Sequence, residues 1–382
     1  MPNVGDMLQG KRVAICAGSG GVGKTTTSAA LAAGLAARGS KVAVLTIDPA
    51  KRLADSLGLE ELGNEPRQVD PALFERSGVE MRGELWAMML DAKATFDQLV
   101  RKHAADEETR DRILQNRIYR QISNALAGSQ EYMAMEKLYE IDQEGTWDYL
   151  VLDTPPSRNA LDFLDAPKRL TQFIEGRGMS LFMKPTGLAT RVVGRGSSMM
   201  FSVLKRITGI DLLSDLSEFF TAMSGMVDGF RERAERVNEL LVDPATSFLI
   251  VCGPQGEPIT EAVYFHRKLA EANLPVGGVI VNKVHYGSGA ELGAEAVTED
   301  LRKPLGDDLA TRVASNFADY QALAARDAEN VSHLARELRA QGVIRVPHMD
   351  EDVHDLEGLL KIDRYLFATE DERTAMATGR AI

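Results

Sequence analysis

Short apolar runs punctuate the chain at Val13 to Cys16, Val42 to Ile47, Leu85 to Leu90, Tyr149 to Leu152, Phe248 to Cys252, Val276 to Val281 and Val343 to Val346. They are largely unbroken rather than alternating, the pattern of strands buried on both faces, and helical stretches separate them. The first run is followed by an alanine-rich segment, Thr26 to Arg38, that reads as a helix. Strand and helix in alternation predict an α/β fold, a doubly wound and mostly parallel sheet. Several runs end on residues that can do chemistry, namely Asp48, Asp91, Asp153, Pro254 and Asn282. Ligands of open α/β sheets bind beyond the carboxyl ends of the strands, so a single site accounts for most of them.

Two stretches interrupt the alternation. Ala92 to Glu144 is helical in pattern and is expected to cover one face of the sheet. The distance from Leu152 to Phe248 is too long for a simple crossover, which predicts an insertion at 166–244 between core segments 1–165 and 245–367. From Ala166 to Ile210, Lys168, Arg169, Arg177, Lys184, Arg191, Arg195, Lys205 and Arg206 stand against a single acid, Glu175. Leu212, Leu216, Phe219, Phe220, Met223, Met226, Val227 and Phe230 recur at helical spacing, and Arg231 to Glu239 continues the register as far as Pro244. That spacing fits plain core. Combined with flexible methionines such as Met179 and Met199, with Gly225 and Gly229 and with local positive charge, it also fits a groove for varied apolar segments. The polar stretch 368–382 is expected to fray.

Composition narrows the setting. A chain of 382 residues can bury a large core, and its formal charge of −12 argues against an extended nucleic-acid surface. Cys16 and Cys252 both lie in apolar runs and neither belongs to a C-x-x-C pair, so neither a disulfide nor a zinc site is expected and a reducing, cytoplasmic setting fits. Met1 to Gly10 lacks a cationic segment followed by an apolar one, and no apolar run reaches the length of about 18 residues needed to span a membrane, so membrane contact is expected to be peripheral at most. His103, His266, His285, His333, His348 and His354 show no paired ligand spacing and read as structural or surface residues.

The chemistry concentrates in Gly18-Ser19-Gly20-Gly21-Val22-Gly23-Lys24-Thr25, a complete G-x-x-x-x-G-K-[ST] phosphate loop between a strand and a helix. Backbone N–H groups from Gly20 to Thr26 would surround the phosphates of ATP or ADP, Lys24 would reach the β and γ oxygens, and the Thr25 hydroxyl would ligate magnesium. Asp48, at the mouth of the second strand, is placed to orient a water against the γ-phosphate and is a further candidate ligand of the metal. Asp153 follows Tyr149 to Leu152, the position from which an aspartate holds magnesium, usually through water.

These motifs resemble those of the arsenite-pump and tail-anchored-protein targeting ATPases, within the larger group that carries a G-K-G-G-x-G-K-[ST] loop. Asp48-Pro-Ala-Lys-Arg-Leu-Ala-Asp55-Ser-Leu-Gly58 is similar to the family's first switch, with Lys51 where histidine is usual. Asp153-Thr-Pro-Pro-Ser-Arg158-Asn159-Ala-Leu resembles the second switch, again without its histidine. The resemblance implies that Asn282 and Lys283 serve the adenine and that Pro347, with its acidic successors, closes over the base. It further implies a dimeric magnesium-dependent ATPase, with the methionine-rich insertion where relatives build an apolar client groove. Three functions stay open: a switch that holds and releases a hydrophobic protein client, the hydrolytic subunit of an oxyanion or metalloid transport system, and a positioning or partition ATPase. The cysteine cluster of arsenite pumps and the zinc-binding C-x-x-C pair of the targeting ATPases are both missing. Ser19 stands where the family's loop carries a lysine that reaches the partner's phosphates. If catalysis needs that charge, the candidates are Lys51, Arg52 and Arg158 of this chain, in a homodimer, or a lysine-bearing relative in a heterodimer.

Overall fold

The computed structural model describes residues 3–47, 51–117, 119, 130–154, 219, 222, 226–287, 294–338 and 342–379. In chain order its elements are α1 (Val4–Met7), β1 (Val13–Ala17), α2 (Lys24–Ala37), β2 (Lys41–Thr46), α3 (Arg52–Ser56), β3 (Arg67–Gln68), α4 (Pro71–Arg76) and β4 (Glu84–Met89). There follow α5 (Ala92–His103), α6 (Glu107–Gln115), α7 (Gln130–Gln143), β5 (Tyr149–Asp153), α8 (Val227–Val242), β6 (Thr246–Cys252) and α9 (Gly256–Glu271). The last are β7 (Val276–Val284), α10 (Ala294–Leu305), α11 (Asp307–Glu337), β8 (Val343–Pro347), α12 (Leu356–Phe367) and α13 (Glu370–Thr378). They divide into two compact units, one of Met1–Met88, Thr146–Ala160 and Val242–Ile382, the other of Met89–Gly145 and Leu161–Leu241.

The first unit holds the sheet, in the order β3-β4-β2-β5-β1-β6-β7-β8. β1 lies parallel between β5 and β6, Val13 opposite both Leu150 and Thr246, and every residue of β1 and β6 is buried. The apolar runs thus sit where strands covered on both faces belong. β3 is the departure: two exposed residues antiparallel to β4, too short to leave a pattern in the sequence. Among the described residues no helix is long and apolar enough to cross a membrane.

α2 connects the phosphate loop to the rest of the unit. Ala29 to Ala33 are fully buried, as expected of a helix apolar nearly all round. Its neighbour α12 approaches so closely at Gly34 that a Cβ there would stand 2.0 Å from Asp363 Oδ1 and 2.7 Å from the Phe367 ring. Arg38 Nη1 donates both to Gly34 O and to Asp363 Oδ1, at 2.7 Å each, and the guanidinium lies 3.7 Å from the Phe367 centroid. Burial pushes the Asp363 carboxyl above the usual range, and Arg38 opposes that shift. Gly34→Ala gains about 1 kcal/mol of helix propensity. Forcing a methyl into this contact costs about 1–3 kcal/mol. The variant is therefore expected to unfold at lower urea, and a rise in midpoint would show that α12 can shift aside.

The end of the chain corrects an expectation. Glu370–Thr378 is helical rather than frayed, closed by a capping box between Thr369 and Glu372. Arg373 is fully buried, donating to Ala368 O at 2.8 Å and to Glu370 Oε2 at 2.9 Å, while Glu370 also pairs with Arg345 of β8. Buried charge with several acceptors holds the helix where its polar composition suggests solvent.

The elements that lie wholly in the second unit are, among the described residues, helices. Phe96 of α5 stacks on Phe230 of α8 at 5.8 Å and on Tyr119 at 6.0 Å, and Tyr119 stacks on Phe219 at 6.2 Å. Glu136 of α7, almost fully buried, pairs with Arg233 of α8. Burial raises the Glu136 carboxyl and Arg233 counters it. Residues Ala92 to Glu144, expected from the sequence to cover one face of the sheet, belong to this second unit. Of the methionine and phenylalanine pattern, Phe219, Met226 and Phe230 are buried core. Leu212, Leu216, Phe220, Met223 and the basic run from Lys168 to Arg206 lie outside the described residues.

Candidate functional site

β1 ends at Ala17 and α2 begins at Lys24, so the glycine-rich loop spans the gap between a central strand and a helix N-terminus. Gly21 and Gly23 take φ of 78° and 89°, which a side chain would strain. Gly23 is held close as well: a Cβ there would stand 2.3 Å from Asn282 Nδ2. The first turn of α2 carries no acidic side chain to compete for its N–H groups, so the helix end is open to an anion. Lys24 is buried, and its Nζ donates to Ser19 O at 2.8 Å. The lysine therefore folds back over the loop with its charge beside the N–H groups.

The strand ends on either side converge on the same place. Asp153, at the end of β5 and 1% exposed, accepts at Oδ2 from Thr25 Oγ1 at 2.7 Å and from Thr46 Oγ1 at 2.9 Å. These are hard oxygen donors, the kind magnesium takes from a protein that supplies one or two groups and leaves the rest to water and phosphate. The donor set fits that ion. Thr154 Oγ1 donates to Cys16 O at 2.8 Å, tying the start of the second-switch segment to β1. Asp48 and Arg158 lie outside the described residues.

A cavity of about 610 Å³ opens over the loop, lined there by Gly21, Gly23, Lys24, Thr25 and Thr26. Its other walls are Arg52, Thr154, Asn282, Lys283, Ile362 and the run Pro347 to Val353, which includes Asp350, Glu351 and Asp352. The size suits a small organic ligand of nucleotide dimensions. Sequence reading thus places Thr25, Thr26, Lys24, Asn282, Lys283 and Pro347 around one space, and Asp153 directly behind Thr25. Gly20 and Val22 belong to the same loop without lining the cavity.

Two features were not visible in the motifs. Asn282 Nδ2 donates to Val22 O at 2.9 Å and its Oδ1 accepts from Lys283 N at 3.0 Å, so this amide braces the phosphate loop from β7. It sits at a register shift between Val281 and Val284, with Lys283 at a φ of 62°, the kind of bulge that re-aims side chains beside a site. Arg52, at the start of α3, lines the cavity, whereas Lys51 does not. Both cysteines are buried, Cys16 opposite Asp153 across the β1–β5 pair. Burial pushes the Cys16 and Cys252 thiols up to about 12.

The family model described as "Anion-transporting ATPase" matches residues 11–326. The chain is 27% identical to "ATPase GET3A" of Arabidopsis thaliana over 70% of its own length and 66% of that protein's. It is 27% identical to "Putative arsenical pump-driving ATPase 1" of Aquifex aeolicus over 72% of its length and 63% of that protein's. It is 22% identical to "ATPase get3" of Aspergillus terreus over 91% of its length and 88% of that protein's. For the first two the chain spans slightly less than two thirds of the relative's length.

Proposed function

The chain belongs to the anion-transporting ATPase family, a family of ATPases, and from that premise we propose that it is a magnesium-dependent nucleotide switch that binds and releases a hydrophobic protein client. The observation that carries the nucleotide site is the cavity over the phosphate loop, lined by Lys24, Thr25, Thr26, Asn282, Lys283 and Pro347. In this reading the loop N–H groups from Gly20 to Thr26 hold the phosphates of ATP, and Lys24 neutralises charge on the γ-phosphoryl as it transfers. Thr25 and Asp153 are the residues that would hold magnesium, Asp48 sharing that role. The ion would add charge neutralisation at the β and γ oxygens. Asp48 orients the water whose oxygen bonds to the γ-phosphorus as the bond to the bridging oxygen breaks, leaving ADP and phosphate. Asn282, Lys283 and Pro347 hold the nucleoside end.

The family loop's second-position lysine is Ser19 here, so another cation must face the transferring phosphoryl. Arg52 fills that need best. It lines the cavity, and its guanidinium makes no ion pair or side-chain hydrogen bond among the described residues. A homodimer then needs no lysine-bearing relative, although a heterodimer remains the alternative assembly.

A hydrophobic client is preferred over a metalloid because metalloid transfer needs accessible thiolates, whereas the two thiols here are buried and held protonated. The methionine-rich stretch of 166–244 is the proposed client surface, excluding Phe219, Met226 and Phe230, which are core. The test is a fluorescent apolar helical peptide of about 20 residues, titrated into the protein with a non-hydrolysable ATP analogue or with ADP. Tight binding in one nucleotide state and release in the other is expected. Equal affinity in both states, or none in either, would overturn the client reading.

A further inference from the structure

The carboxylate behind Thr25 is held by a residue that no motif announces. β5 lies between β2 and β1 in the sheet, and the partners of Asp153 across those two pairs are Thr46 and Cys16. Thr46 and Asp153 are each 1% exposed. Cys16 has only a thiol, a weak donor, to offer from its side. The Thr46 hydroxyl donates to Asp153 Oδ2 at 2.9 Å, and Thr25 Oγ1 donates to the same oxygen at 2.7 Å. One and two steps earlier along the strands, the paired residues are Leu45 with Leu152 and Val44 with Val151, all buried and without a side-chain donor. A β-branched side chain has few χ1 choices, so the backbone of β2 largely sets where the Thr46 hydroxyl points.

A hydroxyl has one proton and two lone pairs, whereas a carboxylate only accepts. With its proton committed to Asp153, Thr25 turns its lone pairs away from that carboxylate, which is what a hydroxyl must do to serve as an oxygen ligand of a cation. The direction of the Thr25 proton follows Asp153 Oδ2, and Thr46 holds that atom. We propose that Thr46 is a positioning residue for magnesium binding, fixing Asp153 so that Asp153 in turn orients Thr25. This inference rests on the reading of Thr25 and Asp153 as the magnesium end of the nucleotide site. Groups that act through a metal ligand set its orientation, and losing one lowers metal affinity by about ten- to a hundredfold. The same bond joins the two strands from which the switch segments leave, β2 just before Asp48 and β5 at Asp153.

The experiment titrates magnesium into the protein mixed with a fluorescent, non-hydrolysable ATP analogue, and separately measures the affinity of that analogue in EDTA. Thr46→Val keeps the branched shape and removes the donor. It is expected to raise the magnesium concentration at half-saturation by about tenfold, the lower end for a group that acts through a ligand, and to leave the affinity in EDTA unchanged. Thr46→Ser keeps the hydroxyl and should restore the magnesium requirement of the unaltered protein. A merely structural role would weaken the analogue alike with and without magnesium, and that result overturns the inference, as does failure of serine to restore. An unchanged magnesium requirement in Thr46→Val overturns it too, while the nucleotide site stands. Should a thermal melt show that Thr46→Val does not fold, Thr46→Ala removes the same donor without the second methyl and is read by the same two titrations. If the unaltered protein binds the analogue with no dependence on magnesium, the reading of Thr25 and Asp153 falls, and the inference with it.

Discussion

Lys24→Ala is expected to lower ATP turnover by about a hundred- to a thousandfold, the usual loss when one charged or hydrogen-bonding group aimed at the reacting centre is removed. Lys24 is buried at the first position of α2, and its Nζ is already drawn over the loop onto Ser19 O at 2.8 Å. A phosphate entering the loop replaces that carbonyl as the partner, so the cation is in place before the substrate arrives. Without it, the loop N–H groups and the helix end still attract an anion, and binding should weaken less than catalysis. The fold should survive, because alanine is the best helix former and its introduction removes a buried amine rather than leaving one unpaired. Single-turnover phosphate release checks the rate, and a thermal melt checks the fold. Turnover within tenfold of the unaltered protein would place the chemistry elsewhere.

Arg52→Ala is expected to reduce kcat by about a thousandfold, judged from the lower end of the range for an arginine that meets a transferring phosphoryl. The second arm is Ser19→Lys in the Arg52→Ala background, which restores the cation at the loop's second position and should recover much of the loss. Recovery of that kind would be hard to explain by damage to α3, since Ser19 lies in a different segment. If the isolated chain is itself nearly inactive, and only a lysine-bearing relative activates it, the heterodimer is the correct assembly. If Arg52→Ala hydrolyses ATP normally, Arg52 is not the replacement.

How much of this was legible in the sequence differs by kind of feature. The strands on either side of the site were legible because each is an unbroken apolar run between polar stretches, and β7 went further than its run only because a bulge carries it through Asn282 and Lys283. The loop residues were legible because glycine, lysine and threonine at fixed spacing have few other uses. What Asn282 grips was not, since a bond from residue 282 to Val22 O is a product of sheet order and leaves no local pattern. The same holds for Thr46, which looks like an ordinary strand residue until β2 and β5 bring it beside Asp153. The last helix was missed for a different reason. Thr369 and Glu372 spell a capping box, a short signal inside a polar stretch, and the burial of Arg373 has no sequence signature. Short β3 could not have been read at all.

The strand order also dictates when the protein can first use its nucleotide. β1, which launches the phosphate loop, pairs on one side with Tyr149–Asp153 and on the other with Thr246–Cys252. A ribosome working from the N-terminus finishes the loop early, yet the strand beneath it has an open edge until residue 252 has emerged, and Asn282, which braces Val22, comes later still. Pairing across such separations is slow, because loop closure must come before the contacts that reward it. ATP can stabilise only a chain that already binds it. Until β6 and Asn282 have been made, the chain therefore folds without help from its own substrate, and lesions in β6 or β7, far along the chain from the loop, are expected to present as failures of nucleotide binding.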